Sequence, residues 1–60
     1  MRARRTLHLV RGEARPAAVA DGDWIVQLEP LEVLAGDERG EIDYTRLVAL
    51  LFTADRVITW

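Results

Sequence analysis

The feature that most constrains this chain is that it must fold without covalent or metal cross-links. Its sixty residues include no cysteine, and His8 is the only histidine. Disulfides are therefore impossible, and a structural zinc site lacks ligands. A chain of this length buries only about 60% of the surface that it exposes when unfolded. Such small domains are usually stabilised by a disulfide, a bound metal or a partner chain. We therefore expect a single domain, residues 1–60, that is stabilised by association with another protein chain.

The composition is that of a globular protein. Half of the residues are apolar and 30% are charged, which is unlike a disordered chain. The longest apolar run, Leu47 to Phe52, is far shorter than the roughly 18 residues of a membrane-spanning helix. The apolar stretch after the N-terminal arginines is too short for a secretory signal. We therefore expect a cytoplasmic protein without membrane contact, and the absence of cysteine agrees with a reducing compartment.

The charges are unevenly distributed along the chain. Residues 1–20 carry five arginines and one glutamate, whereas residues 21–43 carry eight acidic residues and one arginine. The basic segment is expected to pair with the acidic one, within or between chains. As an alternative, Arg2, Arg4 and Arg5 are possible contacts for nucleic-acid phosphates. So few phosphate contacts predict only weak, non-specific binding, so direct nucleic-acid binding is not expected to be the main function.

The alternation of side chains predicts two strands in the first half of the chain. Residues 6–10 place Leu7 and Leu9 on one face and His8 on the other, where we expect an ordinary surface or edge residue. Residues 24–28 follow an Asp-Gly-Asp turn signal and predict a central strand. Pro30 lacks an N–H group and interrupts the ladder, which predicts a bulge or a short connection there.

The second half predicts a helix and a final extended segment. Asp43 is placed to cap the helix N-terminus. An apolar stripe then recurs at helical spacing through Tyr44, Leu47, Val48, Leu51 and Phe52. Leu50 lies off this stripe, so the helix has more apolar surface than one packing face requires. Residues 57–60 are β-prone.

These elements are equally compatible with an α/β fold and with an α+β fold, and we favour α/β. In that class we expect a small two-layer or three-layer unit with a short, mostly parallel sheet and one C-terminal amphipathic helix. An α+β fold with a hairpin at residues 31–42, around the Gly36–Gly40 loop, fits the same pattern and stays open, because residues 11–23 barely allow a parallel crossover.

No pattern in the sequence predicts catalysis. Serine and cysteine are absent, and no threonine is spaced to form a nucleophile–base pair with His8. The acidic residues do not follow the pattern of a calcium loop, and the glycines are scattered singly. We expect no catalytic, cofactor-binding or metal-binding residues, and a protein that is not an enzyme. The expected interface residues are Leu50, Phe52 and Trp60, and Trp60 is predicted to be structurally required.

One resemblance suggests a function. The residues that carry it are Asp43-Tyr44, Val48, Leu50, Asp55, Val57 and Trp60, with weaker matches at Leu7 to Val10, at Gly22-Asp23 with the strand to Glu29, and at Leu31 to Gly40. In this spacing the chain resembles the DsrH/TusB family, small subunits of bacterial sulfur-relay complexes. Members of that family are longer than this chain, and some carry a persulfide-bearing cysteine.

The resemblance implies a non-catalytic structural subunit of a sulfur relay, in tRNA 2-thiouridine modification or sulfur oxidation. Without cysteine, this chain cannot itself carry sulfur. The implied partners are protein subunits, either copies of itself or DsrE-like chains, and the implied fold is α/β with a mostly parallel sheet. Two alternatives stay open: a small interaction subunit of another assembly, phage-encoded or host, and a weak nucleic-acid-binding module that uses the basic N-terminus.

Overall fold

The computed structural model describes residues 4–60. The chain forms five strands and one helix, of which the helix and four strands follow the predicted order. The two-residue strand Gly40–Glu41 belongs to the hairpin alternative. Four of the strands are rich in β-branched, aromatic or leucine residues, and the two-residue strand Gly40–Glu41 is the exception. The elements are β1 (Thr6–Val10), β2 (Trp24–Leu28), β3 (Leu31–Ala35), β4 (Gly40–Glu41), α1 (Tyr44–Thr53) and β5 (Arg56–Thr59).

The strands form one mixed sheet in the order β4-β3-β2-β1-β5. β1 pairs in parallel with β2 and with β5, whereas the β2–β3 and β3–β4 pairs are antiparallel. The α/β class is therefore confirmed, but the expectation of a mostly parallel sheet is not. For β2 and β3 the reason is the two-residue connection Glu29-Pro30, because neighbouring strands joined by so short a turn run in opposite directions.

The hairpin that the sequence left as an alternative is present. β3 and β4 pair with Glu32 opposite Glu41 and Val33 opposite Gly40. The short connection predicted at Pro30 is also present, because it joins Leu28 of β2 to Leu31 of β3. The parallel crossover from β1 to β2 runs through residues 11–23 without a helix or strand.

The helix covers one face of the sheet and forms the core with it. Leu47 and Leu50 of α1 are buried in a cluster with four sheet residues: Leu7, Trp24, Val26 and Val33. The predicted N-cap is confirmed, since the Asp43 carboxylate accepts a hydrogen bond of 2.8 Å from the Arg46 N–H. α1 lies near the C-terminus but is not the last element, because β5 follows it.

The rotation of α1 differs from the expectation. The buried residues are Leu47 and Leu50, with Leu51 and Ala54 packed beside them. Tyr44, Val48 and Phe52 of the predicted stripe are instead exposed, at 70%, 48% and 87%. Both sets have helical spacing, so periodicity alone cannot choose between two adjacent apolar stripes. Packing of the flanking Ile42 and Ala54 on the same core fixes the rotation that buries Leu50.

Trp24 fills the core at the start of β2, where the chain packs closely around it. Gly36 has a φ of 103°, and a Cβ added there would lie 2.5 Å from Trp24 Cδ1 and 3.0 Å from the Asp23 carbonyl oxygen. The Arg5 guanidinium carbon lies 3.8 Å from the centroid of the Trp24 ring, a distance typical of cation–π stacking. The Trp24 position therefore requires a glycine at residue 36.

Replacing Gly36 with alanine tests this packing. Gly36→Ala should lower the free energy of unfolding by roughly 2–4 kcal/mol, because it adds a steric clash to backbone strain. Gly40→Ala is the control, since Gly40 has a φ of 126° but an added Cβ meets nothing within 4 Å. Strain alone should cost the control about 1–2 kcal/mol. Chemical denaturation followed by tryptophan fluorescence gives both values, and equal losses would contradict the close packing.

Candidate functional site

The parallel pairing of β1 and β2 brings Asp23 beside His8. Leu7 lies opposite Trp24 in the register, so Asp23 falls on the same face of the sheet as Thr6 and His8. This is the face opposite α1. The His8 Nε2 and Asp23 Oδ2 atoms are 3.0 Å apart, and the two residues are only 2% and 6% exposed. A short Asp-Gly-Asp turn thus places a carboxylate against a buried imidazole.

The parallel pairing of β1 and β5 brings Trp60 to the other side of the same imidazole. Leu9 lies opposite Thr59, and the Trp60 backbone N–H donates to the Leu9 carbonyl oxygen at 2.9 Å. The Trp60 Nε1–H donates to His8 Nδ1 at 3.0 Å. Asp23, His8 and Trp60 therefore form a continuous polar chain, which we call the His8 network.

The donors fix the protonation of His8 in this network. An indole N–H can only donate, so His8 Nδ1 must be the acceptor and carries no hydrogen. The neutral imidazole then carries its hydrogen on Nε2, which donates to the Asp23 carboxylate. A doubly protonated ring would point a second N–H at the Trp60 N–H. Both ring nitrogens are satisfied, which is the condition for burying a polar side chain at little cost.

The Asp23 carboxylate is held in its charged form. Burial raises the pKa of Asp23, but hydrogen bonds from His8 and from the backbone N–H groups of Ala20 and Thr6 outweigh burial, so the pKa lies below its usual 3.8. Because the folded pKa is the lower one, the carboxylate stabilises the fold fully above about pH 3.8. That contribution is lost as the pH falls through the folded value.

The geometry of the His8 network is structural. Neither imidazole nitrogen is left to take a proton from a nucleophile, because one accepts from Trp60 and the other donates to Asp23. The expectation of a surface or edge position for His8 is wrong. A polar residue in a strand can be buried when the neighbouring strands supply hydrogen-bond partners, and the alternation of residues 6–10 alone does not reveal such partners. Asp23 and Trp60 supply them here.

The three residues expected at an interface lie in different environments. Leu50 is buried in the core, so its side chain is not part of the exposed surface. Trp60 is half-buried and belongs to the His8 network. Phe52 is almost fully exposed and is available to a partner. The interface at Phe52 and Trp60 stays a prediction.

The N-terminal arginines are only partly available for nucleic acid. Arg2 lies outside the described residues. Arg4 is exposed. Arg5 is engaged within the chain, because its Nε–H donates to the Gly22 carbonyl oxygen at 3.0 Å and its guanidinium lies 3.2 Å from the Asp37 carboxylate. The Arg5–Asp37 pair is one instance of the expected pairing between the basic and acidic segments.

The largest exposed apolar feature of the helix is a row of three side chains. Tyr44, Val48 and Phe52 recur at i, i+4 and i+8 and therefore lie along one line of α1. We call this row the α1 ridge. Arg46 is the only charged residue between Tyr44 and Thr53, and its guanidinium contacts Glu38. A helix face turned to water is normally polar, so the α1 ridge is unusual for a solvated surface.

The described part of the chain contains neither a metal cluster nor a membrane span. Within residues 4–60, no group of three or more histidine, aspartate and glutamate side chains is arranged to hold a metal ion. No helix in the same range is long and apolar enough to cross a membrane. Comparison of the chain with protein-family models, with curated proteins and with solved structures finds no match in any of the three.

Substitution of Trp60 tests whether the His8 network holds the fold. Trp60→Phe keeps an aromatic ring but removes the N–H donor, so a buried acceptor on His8 loses its partner. We expect a loss of about 1–3 kcal/mol in the free energy of unfolding. Phe52→Leu is the control, because that exposed position should change stability by no more than about 0.5 kcal/mol. Chemical denaturation followed by Trp24 fluorescence compares the two variants, and an unchanged midpoint in Trp60→Phe would refute the structural role.

Proposed function

We propose that this chain is a non-catalytic subunit that functions by assembling with other protein chains. The α1 ridge is the observation that carries this proposal. Its three large side chains are exposed, and the helix that bears them has only one charged residue, Arg46. Apolar surface of this kind, with aromatic residues and few charges, is typical of protein–protein interfaces.

We further propose, from the DsrH/TusB resemblance, that the assembly is a bacterial sulfur relay and that the partners are DsrE-like chains. Three of the residues that carry the resemblance have identifiable structural contacts. Asp43 caps α1, Asp55 accepts a hydrogen bond of 2.9 Å from the Arg5 backbone N–H, and Trp60 donates to His8. These contacts give the motif residues a structural role, which supports the proposal that the resemblance to the DsrH/TusB family reflects a similar fold.

Two other residues of the same motif have no comparable contact with the core. Tyr44 and Val48 point outward on the α1 ridge and are 70% and 48% exposed. Neither residue is needed to fill the core, since Leu47 and Leu50 do so. Their presence in the motif is accounted for if they contact a partner chain. This supports a role in assembly, and the proposed complex is a cytoplasmic one in which another subunit carries the sulfur.

The engagement of His8 favours assembly over a reaction that would use this imidazole as a base. Both nitrogens of His8 are engaged, and the chain has no serine or cysteine. Direct nucleic-acid binding is a weaker proposal, because Arg5 is held against Trp24 and Asp37. The chain could instead be an interaction subunit of an unrelated assembly, phage-encoded or host. Such a subunit would use the same ridge, and the identity of the protein that binds the ridge distinguishes the two proposals.

The proposal is tested with purified DsrE-like chains from the same source organism. Mixed with them at micromolar concentration, the chain should sediment as a hetero-complex. Val48→Arg should weaken that complex at least tenfold, since it puts a charge into an apolar interface. Val19→Arg is the matched control, because Val19 has almost the same exposure, 46% against 48%, and lies away from α1.

Two outcomes would overturn parts of the proposal. If no complex forms with any DsrE-like chain, the sulfur-relay assignment fails. If a complex forms but Val48→Arg and Val19→Arg have equal effects, the α1 ridge is not the contact surface.

A further inference from the structure

We propose that, when the chain is alone, the α1 ridge is covered by the α1 ridge of a second copy in a two-fold symmetric dimer. This inference rests on the proposed function in treating the ridge as a protein-binding surface, and it names the occupant. Three properties of α1 support a second copy: the shape of its outer face, the charge of that face, and a pocket at one end.

The outer face of α1 is complementary to itself in shape. The ridge of large side chains, Tyr44, Val48 and Phe52, runs beside a row of small ones, Thr45, Ala49 and Thr53. Rows at i, i+4 and i+8 are the ridges that interdigitate when two helices pack at about 50°. In a two-fold dimer each ridge can lie in the shallow row of the other copy. The Thr53 hydroxyl already donates to the Ala49 carbonyl oxygen at 2.8 Å, so this row can be covered without leaving that donor unsatisfied.

The charge of the face permits two identical copies to approach. A two-fold interface places each residue against the same surface of its partner, so an unpaired charge near the axis is repelled by its own copy. The ridge and the small row contain no charged residue. Arg46, on the same helix, has its guanidinium against Glu38. The two rows themselves therefore add no like-charge repulsion to self-association.

A pocket at the N-terminal end of α1 can accept the Phe52 side chain from the C-terminal end of α1 in the second copy. It has a volume of about 440 Å³ and is lined by Arg11, Gly12, Leu28, Glu29 and Tyr44. In an antiparallel two-fold arrangement, Phe52 of each copy lies at the Tyr44 end of the other copy. The 87% exposed ring of Phe52 then inserts beside Leu28 and Tyr44. Antiparallel packing also aligns the helix dipoles favourably.

The available area predicts a weak dimer. A large aromatic side chain contributes about 200 Å² of surface, so the three ridge residues offer roughly 350–400 Å² per copy at their observed exposure. With the small rows and the pockets, two copies bury roughly 1,000 Å², which is the lower limit of specific interfaces. We therefore expect a dissociation constant in the micromolar range and competition between the second copy and a DsrE-like chain for the same ridge.

Sedimentation equilibrium of the full chain tests the dimer directly. The wild-type chain should pass from monomer to dimer across roughly 1–500 µM. Val48→Arg and Phe52→Ala should each raise the dissociation constant at least tenfold, whereas Val19→Arg should leave it unchanged. Denaturation midpoints equal to wild type, measured at a concentration at which the wild-type chain is monomeric, would show that the variants fold, as the exposure of both positions predicts.

A charge-swap experiment distinguishes a two-fold dimer from other association. Val48→Arg and Val48→Glu should each be monomeric, and an equimolar mixture should recover a heterodimer, because the two-fold brings the residue-48 positions together. A wild-type chain that stays monomeric, or a mixture that does not dimerise, overturns the inference. If the chain is monomeric but binds DsrE-like chains, only this inference fails. If it dimerises but binds none, the sulfur-relay proposal fails instead.

Discussion

The fold depends on one buried hydrogen-bonded chain, the His8 network. It joins β1 to the residue before β2 and to the residue after β5, so three segments that are distant in the sequence meet at one imidazole. In a chain with no disulfide and a core of few residues, each hydrogen bond to a buried group also fixes strand register, because a shifted strand would leave a buried polar atom unpaired. On the opposite face of the sheet, α1 packs Leu47 and Leu50 into the core and leaves the α1 ridge exposed to solvent.

Much of the secondary structure could be predicted from local signals. The alternation in residues 6–10 and 24–28, the turn at Pro30 and the Asp43 cap are all set by neighbours in the sequence, and the structure confirms them. These features depend on backbone geometry and on side chains within a few residues. The order of the elements was equally compatible with an α/β and an α+β fold, and the pairing of β3 with β4 belonged to the second of these alternatives.

The remaining features depend on contacts between distant residues, which local patterns do not encode. The stripe through Tyr44, Val48 and Phe52 and the stripe through Leu47, Leu50 and Ala54 are equally periodic, and only the packed core selects the second. The burial of His8 likewise required partners 15 and 52 residues away. The candidate site was therefore predicted in part: Phe52 is on the exposed ridge, Leu50 is in the core, and the role of Trp60 as a donor to His8 was missed.

The network depends on the tautomer of His8, a neutral ring that is protonated only on Nε2 and links Asp23 to Trp60. Long-range proton–nitrogen correlation NMR of the ¹⁵N-labelled chain at neutral pH measures it most directly, since His8 is the only histidine. The expected spectrum shows one imidazole nitrogen with the shift of an unprotonated acceptor, assigned to Nδ1, and a hydrogen on Nε2 that is protected from exchange with water. A hydrogen on Nδ1, or a ring averaging rapidly between tautomers, would contradict it.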